Sequence, residues 1–96
     1  MLLSFSNVII FGSRIYSLDS ALPFKLIHDG DYVMIENDVL KIVGAGETEV
    51  DAKEDFAREF DFIYRRYNEL SDRQMTTRNM EIKMMLNTIV TGVTEV

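Results

Sequence analysis

Between Thr48 and Leu70 the apolar residues Ala52, Phe56, Phe60, Ile63, Tyr67 and Leu70 recur at spacings of four, four, three, four and three. At the helical period those positions fall in one narrow stripe. Asp55, Arg58, Glu59, Arg65, Arg66 and Glu69 lie off it. A helix with a solvated back and one apolar stripe has to bury that stripe, so the rest of the chain must supply an apolar face. The start of the helix is marked too. Thr48 stands before Glu49, Val50 and Asp51 in a capping-box pattern, and Glu47, Glu49 and Asp51 suit the positive end of the helix dipole.

The front half reads as the strands that supply this face. Leu3 to Phe11 is rich in Leu, Phe, Val and Ile, Gly12-Ser13 reads as a tight turn, and Ile15 to Leu18 is extended again. Asp19 to Pro23 reads as a turn, with the single proline marking a boundary. Phe24 to His28 then forms a strand, and Asp29-Gly30 is a strong hairpin signal. Asp31 to Glu36 is the next strand, Asn37-Asp38 a second two-residue turn, and Val39 to Val43 a third strand. Gly44 and Gly46 close the sheet and let the chain turn into the helix.

A second helix is expected from Thr76 or Thr77 to about Val90, within a helical segment spanning 76–91. Its apolar residues Met80, Ile82, Met84, Met85, Leu86, Ile89 and Val90 are too many for one stripe. Part of that surface is expected to meet another chain, with Met80, Met84 and Met85 as adaptable contacts. Phe62 lies off the main stripe of the first helix and is grouped with them. The fold class is α+β: a small antiparallel meander of hairpins covered by a long helix, plus a second C-terminal helix. One domain spans 1–96, with 1–22 as an amino-terminal hairpin extension.

Composition narrows the function. There is no cysteine and only one histidine, His28, which removes disulfides, thiolate chemistry and paired-imidazole sites. His28 reads as a hairpin histidine with acidic neighbours. A formal net charge of −6 disfavours direct nucleic-acid binding and suits a basic protein partner. Asp29, Asp31, Glu36 and Asp38 cluster around the two hairpin turns as candidates for electrostatic recognition. Their spacing matches no calcium loop, so no metal is expected. Gly44-Ala45-Gly46 lacks phosphate-loop spacing, and Glu47 would repel phosphate, so no cofactor is expected either. The amino terminus MLLSFSNVIIF has no basic n-region and no run able to span a bilayer; it reads as a strand, with no membrane partner and a cytoplasmic location expected.

The stretch DGDYVMIENDVLKIVGAGETEVDAKEDF, with Gly44, Gly46, Thr48 and Ala52 in a GxGxT-x-x-x-A pattern, resembles the HicB-like antitoxin family. The resemblance covers about residues 24–70. It implies a trimmed ribonuclease-H-like sheet with a helix, and a non-enzymatic role in which a small basic ribonuclease toxin, HicA-like, is neutralised by surface occlusion. Many such proteins add a DNA-binding segment. This chain has no basic cluster after its second cap and carries an extra amino-terminal hairpin. The alternative is a self-associating structural or adaptor domain without a toxin, and a homo-oligomer is expected under either reading.

Overall fold

The computed structural model describes residues 2–96, with side chains from Ser6 onward and Ser20 excepted. The threonine caps hold as local chemistry, Thr48 as a simple N-cap without the reciprocal bond of a capping box. Helix α1 runs Glu49–Glu69, and the Thr48 side chain accepts a hydrogen bond from the Asp51 amide at 3.1 Å. Helix α2 runs Thr77–Ile89, with Thr76 accepting from the Asn79 amide at 3.1 Å. Each threonine satisfies one of the amides that a helix start leaves without a partner. Among the described residues no helix is long and apolar enough to cross a membrane.

The strands are β1 (Leu2–Phe11), β2 (Arg14–Asp29), β3 (Tyr32–Asn37), β4 (Ile42–Gly46) and β5 (Val90–Glu95). They form one antiparallel five-stranded sheet in the order β1-β2-β3-β4, with β5 also paired to β2. The edge of β2 away from β1 is shared. Lys25 to Asp29 pair with β3, and Arg14 to Leu18 pair with β5. The fold is α+β, with both helices contributing to the core on one face of the sheet.

Four local expectations are corrected. Asp19–Pro23 is not a turn, because β2 continues through it. Val8 pairs with Ser17 and Ser6 with Leu22, so residues 18–21 lie opposite Asn7 alone and the strand bulges there. Pro23 is tolerated because β3 begins its pairing only at Lys25 and β5 ends at Leu18. The Asn37 side chain fills this gap by donating to the Pro23 carbonyl at 2.9 Å.

The second turn is longer than two residues and occupies 38–41. Buried Asn37 accepts from the Leu40 amide at 2.8 Å, Lys41 takes a positive φ of 59°, and Leu40 drops into the core. The third strand of the meander therefore starts at Ile42 and not Val39.

Gly44 does not end the strand. It lies within β4, of which Gly46 is the last residue as expected, and a side chain on either would collide with α1: a Cβ on Gly44 would stand 2.4 Å from the Ala52 carbonyl oxygen. The absence of a Cβ lets helix and strand backbones touch.

The last correction is β5. The expected helical segment stops at Ile89, and Val90 begins a strand that runs to Glu95. Around this frame the core closes on aromatic pairs. Tyr16 meets Phe60 and Tyr64 edge-on at 5.2 and 5.1 Å, and Phe24 meets Phe56 at 5.0 Å.

Candidate functional site

Cross-strand partners share a face of a sheet, and alternate residues point to opposite sides. The core side carries Ile9, Tyr16, Leu26, Val33 and Ile35, all buried under the helices. The opposite side carries the rows Ile10–Ile15, Ile27–Met34–Ala45 and Lys25–Glu36–Val43, with Tyr32 beside Asp29. None of these is buried, and Ile10 and Tyr32 are each 58% exposed. Antiparallel sheets that meet water on one side usually alternate apolar with polar residues. Here the open side is itself largely apolar.

The candidate acidic residues are distributed around that open face and do not form one dense patch. Asp29 and Asp31 flank the β2–β3 turn, whereas Glu36 and Asp38 lie at the other end of β3. At about 3.3 Å per residue the two groups are roughly 20 Å apart. Lys25, the cross-strand partner of Glu36, forms an ion pair with Asp38. The ammonium of Lys25 holds the Asp38 carboxyl below the usual carboxylate range, and Asp38 in turn raises Lys25. Asp29 and Asp31 have no ion-pair partner among the described residues. His28 is exposed beside them, and no group of acidic or histidine side chains converges on a metal-sized site among the described residues.

The apolar candidates lie elsewhere. Met84 points to solvent from α2 at 67% exposure, while Met80 and Met85 are half-buried and Met85 packs against the core. Ile82 and Leu86 supply the buried face of α2. Phe62 is 61% exposed on α1, where it shares a groove with Phe11, Arg58, Arg65 and Arg66. The two kinds of candidate residue therefore belong to opposite layers, with acids around the open sheet face and Phe62 and the methionines on the helical side.

Sequence reasoning missed one polar cluster. Asp61 is buried in α1, where Tyr16 donates to its Oδ1 at 2.5 Å and Arg14 approaches the same oxygen at 3.4 Å. Arg14 also binds Glu95 at 2.7 Å, tying β2, α1 and β5 together. Burial first, and then the hydrogen bond to Asp61, push the Tyr16 hydroxyl up to about 12. Glu95 and Tyr16 raise the already high Arg14. Tyr16 has no exposed surface, so its hydroxyl braces the fold from inside, while Arg14 and Glu95 carry the cluster out to solvent. A signal did exist: Asp61 sits between Phe60 and the i+3 residue Tyr64, on the inward side of the helix.

Comparison with family models, with curated proteins and with solved structures gives no match.

Proposed function

We propose that this chain is a protein-binding domain without chemistry of its own, which acts by covering a partner's surface. The observation that carries the reading is the open, apolar face of the sheet, with Tyr32 and Val43 exposed, Ile27 and Met34 half-buried between them, and carboxylates at both ends of β3. Contiguous exposed apolar surface rimmed by polar groups marks interaction sites, and an acidic rim selects a basic partner. The HicB-like resemblance of residues 24–70 makes the partner specific: a small basic ribonuclease toxin, occluded by this face. In this reading the acidic rim guides encounter and the apolar rows supply the contact that persists.

The test is affinity purification from the native host at low and moderate salt, followed by mass spectrometry. A small basic protein recovered in stoichiometric amount, and lost as salt rises, supports the reading. Recovery of the chain alone as a salt-insensitive oligomer refutes it and favours the self-associating adaptor domain.

A further inference from the structure

On the helical side of the sheet, strand β1 has a free edge, since among the described residues it pairs only with β2. The Ser6 hydroxyl donates to the Val8 carbonyl at 2.8 Å and accepts from the Val8 amide at 3.3 Å. Those two backbone groups therefore face away from β2 and are served by a side chain in place of a strand. By alternation Ile10 presents its amide and carbonyl on the same edge. From Leu2 to Phe11 the edge carries no charge and no proline, the usual devices that keep edges from pairing.

Two hollows lie beside this edge. The first part of this surface, a trough of about 430 Å³, lies between Ser6–Ile10 and α1, with Phe24, Ile35, Phe56 and Ala57 in its lining and Lys53 as its one charged residue. The second part, a separate hollow of about 300 Å³ that shares no lining residue with the first, lies between Phe11 and the later turns of α1. The charged residues of the two parts are Lys53, Arg58, Arg65 and Arg66 against Asp61 and Glu69, four positive less two negative. A local balance of +2 thus stands on a chain whose net charge is −6. Among the described residues Lys53 and Arg58 are tied only to Glu49 and Asp55 of their own helix, through pairs at the surface that an incoming carboxylate can displace at little cost.

A free strand edge beside an apolar groove and a helix is the geometry in which an extended peptide adds to a sheet, with backbone bonds on the edge and alternate side chains in the groove. We propose that the trough between β1 and α1 takes an extended segment of another protein, with alternating apolar and acidic residues, as an added strand on β1. A second copy of β1 would bring no carboxylate to these cations, so the charge favours a different chain. This surface adjoins the open sheet face at Ile10 but is lined chiefly by core-side residues and α1, and the inference does not depend on the toxin reading.

The test uses the full chain and fluorescein-labelled, end-capped peptides of about ten residues that alternate Val and Glu. Fluorescence anisotropy should show saturable binding, at least roughly tenfold tighter than for the corresponding Val–Lys peptide. Methylating alternate backbone nitrogens on the edge that faces β1 should weaken binding by about tenfold or more, whereas methylating the other edge should not. The Arg58→Glu/Arg66→Glu variant should lose affinity for the Val–Glu peptide, and amide exchange at Ile10 should slow when peptide is bound. The peptide controls stand even if that variant fails to fold. No binding, equal binding of Val–Glu and Val–Lys peptides, or indifference to methylation of both edges would overturn the proposal. So would sedimentation as a dimer with the Ile10 amide already protected in the absence of peptide.

Discussion

Gly44→Ala should push α1 off the sheet, and the size of the effect follows from the contacts. The added Cβ would stand 2.4 Å from both the Ala52 carbonyl oxygen and the Phe56 amide nitrogen, where ordinary contact begins at 3.4 Å. Both obstacles are backbone, so no rotamer change relieves them and the helix must withdraw by about 1 Å. A gap of that size forfeits about a quarter to a half of each dispersion contact across it. If about half of the roughly 50 contacts made by a buried Phe face the sheet, at ~0.15 kcal/mol each, Phe56 loses about 1–2 kcal/mol. Phe60 loses a similar amount, for a total of about 2–4 kcal/mol against a typical domain stability of about 5–15 kcal/mol. Urea unfolding followed by far-ultraviolet circular dichroism should show the midpoint falling by about 0.7–4 M for an m-value of about 1–3 kcal/mol/M. Gly92→Ala is the control. No atom lies within 4 Å of its Cβ position, so that variant should change stability by less than about 1 kcal/mol. A Gly44→Ala stability within about 0.5 kcal/mol of Gly92→Ala would refute close backbone packing as the reason for the glycine.

Three further outcomes are expected. Tyr16→Phe should cost about 1–3 kcal/mol by leaving Asp61 short of a buried donor. The fold raises the Tyr16 hydroxyl from 10.0 to about 12, so its contribution is complete below pH 10 and is lost as pH rises toward 12. Unfolding curves across that window should fall for the wild type and lack this component in the Phe variant. Leu86→Ala should cost about 2–5 kcal/mol, because Leu86 has no exposed surface, while Met84→Ala should stay within about 0.5 kcal/mol; thermal melts of the pair distinguish them. Asp38 should titrate below the ordinary 3.8 in carboxyl-detected NMR and return toward it in Lys25→Met. Its lowered value means that the Lys25 pair helps the fold above pH 3.8 and stops helping as pH falls through the Asp38 titration.

What the sequence disclosed was whatever is encoded over a few neighbouring residues. The α1 stripe, the Thr48 and Thr76 caps and the Asp29-Gly30 hairpin each depend on contacts within one or two turns of chain. The errors have a common cause in partners distant along the chain. Pro23 reads as a breaker until Asn37 is found opposite its carbonyl, and Gly44 reads as a turn until Ala52 and Phe56 are found above it. Val90–Glu95 reads VTGVTE, with its two valines three residues apart and no period-two signal, and it becomes a strand because Arg14–Leu18 offers an edge for it to pair with. Asp61 meets Tyr16 across 45 positions, which no local periodicity reports. For the candidate sites, alternation in Phe24–Gly46 did contain the open face. Which of the two apolar faces the helices would cover depended on that same distant packing.

The claim that the open sheet face meets the partner is tested most directly by changing that face alone. Ile27→Glu/Met34→Glu places carboxylates at two adjacent positions on the uncovered side of β2 and β3. With its circular dichroism spectrum and melting unchanged, this variant should recover no basic partner from the native host, under conditions in which the wild type recovers one stoichiometrically. Equal recovery by the variant and the wild type would contradict the assignment of the partner to this face.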